Sequence, residues 1–137
     1  MTVIQILGSG SLIPDWAEAL ESREFGSVWG PLGEFEILWL ADKLAFARWR
    51  MIPNSAEAEL LHIAVDTAHR RVGVAKRLMV ECSKYLAANG CASLHLEVRA
   101  SNIPAQKLYE SLGWRRINVR KAYYGDGEDA AIFCLSG

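Results

Sequence analysis

This chain lacks the spacings that mark disulfide scaffolds and metal sites. Its three cysteines, Cys82, Cys91 and Cys134, are odd in number and form no C-x-x-C pair. Neither a disulfide framework nor a zinc site is signalled, and the three read as reduced, mostly buried thiols. The histidines His62, His69 and His95 make no H-E-x-x-H or similar ligand spacing, so no metal is expected. No apolar run approaches the roughly 18 residues of a membrane span. The start, MTVIQILGSGS, lacks the basic region and long apolar core of a secretion signal. These absences point to a cytoplasmic domain with no membrane partner. G-x-G-x-x-G and G-x-x-x-x-G-K-S/T are also absent, which removes the dinucleotide and nucleoside-triphosphate fingerprints. No internal repeat or low-complexity linker interrupts the chain.

What is present fits one domain, residues 1–137, around one core: 51% of the residues are apolar and 23% charged. The net charge of −1 conceals a division. Residues 1–42 hold seven acids and one base (Arg23), whereas residues 43–125 hold fourteen bases and six acids. A basic centre suits a polyanionic ligand, and an acidic margin suits a cationic one. No reading helix or RNA-binding motif accompanies the basic residues, so no nucleic-acid partner is expected.

Residues 3–7 read as a strand, GSGS as a turn, and PDWAEALES as a short helix with Pro14 near its first turn. FGSVWGPLG reads as a loop. EFEILWLA and LAFARWRMI flank a hairpin turn at Asp42-Lys43, and AELLHIAV is a further strand. Ala75, Leu78, Met79, Cys82, Tyr85 and Leu86 recur at helical spacing up to Gly90. SLHLEV is a strand. Residues 103–112 form a second helix, opened by Ser101-Asn102 with Pro104 in its first turn and stopped by Gly113. WRRINV and AIFCLS close the chain, with YYGDGED between them. Strands, helix, strand, helix, strands: the order predicts an α+β (α/β) domain around one mixed sheet. The five tryptophans, Trp16, Trp29, Trp39, Trp49 and Trp114, read as core and loop anchors.

Two stretches carry chemistry. The first is RRVGVAKR, residues 70–77, between a strand and an amphipathic helix. Gly73 permits a tight turn, and the N–H groups of Val72 to Lys76 then sit at a helix N-terminus, where donors and dipole favour phosphate oxygens. Arg70, Arg71, Lys76 and Arg77 add positive charge. The plain alternative is a strand-to-helix turn with solvated arginines. The second is LHLEVRASNIPAQKLYESLGW, residues 94–114. Leu94, Leu96 and Val98 share one strand face, which puts His95 and Glu97 on the other. Tyr109 follows on the next helix, one turn past Ala105. Without further context, Glu97 is a solvated acid and Tyr109 a core tyrosine.

Arg70, Gly73 and Ala75 fit R/Q-x-x-G-x-G/A after a strand, and the chain thereby resembles the GNAT family of N-acetyltransferases. LHIAVD, LEVRASN, LYESLGW and YYGDGEDA, in order over residues 59–135, are similar to the branch that acetylates the N-terminal alanine of a ribosomal protein. Residues 1–58 diverge from the family pattern. The resemblance implies a mixed, splayed sheet flanked by helices, and acetyl-CoA (coenzyme A) as acetyl donor. It assigns the general base to Glu97 and the general acid to Tyr109. It places the pantetheine arm along Ile63, Ala64 and Val65, and the pyrophosphate at Arg70, Arg71, Val72, Gly73, Val74, Ala75 and Lys76. Asn102 matches a cofactor contact, and it is also a natural helix N-cap. Tyr123 and Tyr124, with Glu128 and Asp129, resemble the segment lining the peptide entrance. The implied partner is a protein or peptide N-terminus, possibly of a ribosomal protein, met by a monomer or weak dimer. A lysine or small-molecule amine as acceptor shares every cofactor feature, and a non-catalytic acyl-CoA-binding module is the alternative of another class.

Overall fold

The computed structural model describes residues 3–69 and 73–136. Seven strands form one sheet: β1 (Ile4–Leu7), β2 (Glu36–Ala41), β3 (Ala45–Met51), β4 (Glu57–Val65), β5 (Ser93–Arg99), β6 (Arg115–Arg120) and β7 (Ala130–Ser136). Three helices flank it: α1 (Asp15–Phe25), α2 (Val74–Ala88) and α3 (Ile103–Ser111). The spatial order is β1-β2-β3-β4-β5-β7-β6. Every pairing is antiparallel except β4 with β5, the pair joined through α2.

The β4–β5 ladder is short. It runs from Glu57 opposite Ser93 to Leu60 opposite Leu96 and then stops. Both strands continue, β4 to Val65 and β5 to Arg99. They therefore diverge, and the sheet opens as a V at its centre. This is the mixed, splayed sheet expected.

The two faces differ. On one, α2 buries Val74, Leu78, Met79, Cys82 and Leu86 against Trp39, Ala47, Trp49, Ala58, Leu94 and Leu96. Tyr109 of α3 and Trp114 join the same cluster. Each fully buried large apolar side chain stabilises by about 1.5–3 kcal/mol. On the other face α1 lays Ala17 and Leu20 over Leu38, Leu40, Phe46 and Ala64. A bulge in β4 sorts side chains between the faces. Arg48 pairs with His62 and Trp49 with Leu60, so Leu61 is an extra residue. Ala58 and Leu60 before it, and Ile63 and Val65 after it, all meet the α2 side. Glu59 and His62 are turned to the α1 side.

Local signals open two helices where expected. Asn102 caps α3, its Oδ1 accepting from the Ala105 N–H at 3.2 Å, a bond worth about 1 kcal/mol. Gly73 opens α2 with φ +82°, a left-handed conformation that favours glycine.

Candidate active site

The opening between β4 and β5 continues into a cleft of about 1820 Å³. Its walls bring together most residues singled out in the sequence. Ile63, Ala64 and Val65 line it from β4, Gly73, Val74, Ala75 and Lys76 from the start of α2, and Glu97 from β5. Asn102 and Tyr109 reach it from α3, and Tyr123 and Tyr124 from the β6–β7 connection. Arg70, Arg71 and Val72 lie outside the described residues. Glu128 and Asp129 are close in sequence but turned elsewhere. Glu128 accepts from Arg99 Nη1 at 3.0 Å and from the Ser101 N–H at 2.8 Å. Asp129 accepts from the Ala122 N–H at 2.9 Å and from Lys121 Nζ at 3.3 Å. These bonds hold both carboxyls below their usual range. Neither side chain lines the cleft, and both fasten the segment that carries the two tyrosines.

Glu97 and Tyr109 occupy different environments. Glu97 projects from the face of β5 opposite the core, and its side chain is 28% exposed, with Arg120 Nη1 at 3.6 Å. The pKa of Tyr123 is raised, first by hydrogen bonding with the Glu97 carboxylate, then by burial and by the Glu97 charge. Tyr109 is buried, packed beside Trp114 and Phe133. Burial first, and the nearby Tyr124 second, push its pKa up to about 12. The site thus holds a carboxylate open to an incoming group on one wall and a phenol that keeps its proton on another.

The phosphate end is built from backbone. A Cβ added at Gly73 would meet nothing within 4 Å, so the turn leaves open space at the N-terminus of α2. A pyrophosphate fits there on chemical grounds, through the first-turn N–H groups and the Lys76 ammonium. The stretch of β4 that turns away from β5 after Leu60 suits an extended amide-bearing arm, which adds to a strand by main-chain hydrogen bonds.

Comparison with known proteins agrees with this geometry. The family model for the acetyltransferase (GNAT) family matches residues 10–114. The chain belongs to that family. It is 35% identical to the [Ribosomal protein bS18]-alanine N-acetyltransferase of Salmonella typhimurium, over 98% of this chain and 97% of that one. The corresponding Haemophilus ducreyi enzyme is 46% identical over 83 residues, 58% of this chain and 57% of that relative's length. The crystal structure of the Escherichia coli ribosomal-protein-S18-alanine N-acetyltransferase superposes with a TM-score of 0.78 at 32% identity, covering 99% of this chain and 94% of that one. GNAT enzymes take their acetyl group from acetyl-CoA, and this chain is an N-acetyltransferase of that kind.

Several cleft residues went unnoticed in the sequence. Phe25 at the end of α1, with Val28 and Trp29 of the α1–β2 connection, overhangs it, and His62 lies beneath. The His62 ring meets Phe25 edge-on at 4.4 Å and Trp29 at 4.1 Å between centroids. Arg99 stacks over Tyr124 at 4.2 Å and ties down Asp126 and Glu128. The aromatic residues of FGSVWGPLG were the available signal, but a glycine-rich loop does not announce which surface it covers.

Proposed function

We propose that this protein transfers the acetyl group of acetyl-CoA to the N-terminal α-amine of a protein in the cytoplasm. The acceptor is an alanine on a ribosomal protein, attacked directly within a ternary complex. The observation that carries this reading is the placement of Glu97 and Tyr109 on separate walls of one cleft that opens where β4 and β5 part. The names of the relatives supply the acceptor class.

Acetyl-CoA, when bound, supplies an activated acyl group as a thioester. Ile63, Ala64 and Val65 would hold its pantetheine arm, and Gly73 to Lys76, with the neighbouring Arg70, Arg71 and Val72, its pyrophosphate. Asn102 would contact it beside its own capping bond. Glu97 takes the proton of the acceptor ammonium on a carboxylate oxygen. An α-amine, with a pKa near ~8, gives that proton up about 3 kcal/mol more cheaply than a lysine near ~10.4. A carboxylate is a sufficient base for the former. Tyr109 holds a proton at Oη throughout the neutral range and is the acid of the site. Tyr123 and Tyr124 flank the acceptor entrance, with Glu128 and Asp129 setting their segment. The same geometry suits a monomer or weak dimer, since no wall of the described cleft needs a second copy.

The test is acetyl transfer to a peptide panel, with the modified atom located by mass spectrometry. Free Ala-, Ser- and Met-starting peptides, N-blocked lysine peptides and a polyamine serve as acceptors. Label on the free N-terminus, strongest for alanine, is expected. Label on lysine or the polyamine overturns the acceptor. Coenzyme A binding with no transfer to any acceptor, including the intact ribosomal protein, overturns the enzyme reading.

A further inference from the structure

Arg48 is the most buried charge among the described residues, at 1% exposure in the middle of β3. All its bonds run to one stretch of chain. Nη1 donates to the Gly30 carbonyl at 3.0 Å and Nη2 to the Pro31 carbonyl at 2.9 Å. Nε and Nη2 donate to Glu36 Oε1 at 3.0 and 2.6 Å. The same Glu36 oxygen accepts from the Gly33 N–H at 3.1 Å. Nη1 also lies 3.7 Å from Glu21 Oε2. Glu21, itself buried, accepts from the Trp29 N–H at 2.7 Å. The connection between α1 and β2 is therefore fastened through Arg48 and the two carboxylates facing it. Its consequence is the overhang: Phe25, Val28 and Trp29 are held over His62, with the Arg48 guanidinium 5.7 Å from the Trp29 ring centre.

This wall stands on the α1 side of the sheet, where Glu97 also projects. Val74 at the start of α2, with Ile63 and Val65 of β4, which suit the acetyl donor, packs on the α2 side instead. A buried guanidinium is costly to desolvate and is retained only with full hydrogen bonding. Here the planar fork makes four hydrogen bonds, to two carbonyls and a carboxylate, one more than the three donors of an ammonium supply and in a fixed plane that an ammonium lacks.

We propose that Arg48 is a positioning residue for the acceptor: by pinning residues 26–35 it sets the wall of Phe25 and Trp29, and so governs affinity for the acceptor but not for the acetyl donor. The inference rests on the acetyl-transfer reading of the cleft. Arg48 touches neither reacting group and acts through the loop.

The test uses Arg48→Lys, which keeps the charge and loses the fork, with Glu36→Gln as a second, milder variant. Acceptor KM is expected to rise about tenfold or more in Arg48→Lys, with coenzyme A affinity measured by calorimetry unchanged. Glu36→Gln should move acceptor KM in the same direction by less. Amide hydrogen exchange at residues 26–35 should quicken in both, while exchange across α2 stays as in the wild type. An unchanged acceptor KM in a folded variant overturns the proposal, and so does parallel weakening of coenzyme A and acceptor. If the wild type transfers acetyl to no acceptor, the reading of the function fails by itself. Unchanged exchange at 26–35 then still overturns the pinning role, and quickened exchange confined to that loop still supports it.

Discussion

Leu60 and Leu96 are the last partners of the parallel ladder between β4 and β5. Beyond them β4 and β5 separate, although each keeps its outer neighbour, β3 and β7 respectively. One sheet thereby presents a stretch of β4 that β5 does not pair, beside the start of a helix and Glu97 in the wall of one cleft. Had the ladder continued, β5 would pair that stretch and close the opening. The divergence makes a core into a site, and the chemistry of each wall follows from which face its residues occupy.

Glu97→Gln should keep the fold, because the side chain is partly exposed and its ion pair with Arg120 is long at 3.6 Å. In the proposed mechanism it removes the acceptor of the ammonium proton. A drop in kcat of about a hundredfold or more is expected, with acetyl-CoA KM little changed. Steady-state kinetics with both substrates varied checks this, and a full-speed Glu97→Gln enzyme removes Glu97 from the base role.

Tyr109→Phe should lower kcat without altering the shape of the pH–rate profile. Burial raises the Tyr109 pKa to about 12, so the phenol stays protonated through pH 10. The wild type should therefore show no alkaline loss of rate from this group below pH 10. An alkaline limb near pH 9 that vanishes in Tyr109→Phe contradicts the assignment.

Gly73 and Gly90 allow a matched comparison at the two ends of α2. Both have positive φ, +82° and +94°, and at both an added Cβ meets nothing within 4 Å. Alanine at either position costs backbone strain of about 1 kcal/mol. Thermal unfolding should drop similarly in Gly73→Ala and Gly90→Ala. Only Gly73→Ala should raise acetyl-CoA KM, because only Gly73 lines the cleft. Equal KM values in the two variants separate the turn from donor binding.

Much of this arrangement was legible where the signal is local. Alternation in Leu94, Leu96 and Val98 was enough to turn Glu97 away from the core, and Asn102, Pro104 and Gly113 bound a helix wherever it packs. Partners distant in sequence were not legible. Arg48 and Arg50 share a strand face by alternation, yet Arg48 is buried under the α1–β2 connection and Arg50 is exposed beside Glu59. Nothing local separates them, because the loop that covers Arg48 is placed by tertiary packing. The extra residue Leu61 has no sequence mark either, and it decides that His62 faces α1. Glu128 reads as a free acid at an entrance until Arg99, on β5, is seen beside it.

His62 provides a stability switch whose sign can be worked out. Its pKa is lowered from 6.5 to about 4, by burial first and by the Arg48 charge second, against the opposing pull of Glu36. Glu21 Oε2 stands 3.5 Å from its Nε2, and Phe25, Trp29 and Phe46 pack around the ring. In the unfolded chain the imidazole takes up its proton near pH 6.5, whereas in the folded protein it stays neutral until about pH 4. The unfolded state therefore binds more protons across that window, and stability falls as pH drops through it. The loss from this group by pH 5 is about 2 kcal/mol, at roughly 1.4 kcal/mol per pH unit. Above pH 6.5 the group adds no slope. Urea unfolding of the wild type and of His62→Gln at pH 7.5, 6 and 5 isolates the effect, since other carboxylates contribute equally to both. The wild type should lose about 2 kcal/mol more than His62→Gln between pH 7.5 and 5. Parallel curves mean that His62 is protonated in the folded protein. The Glu21 carboxylate would then hold it as an ion pair, and the charge balance beneath Trp29 would be the reverse of the one described.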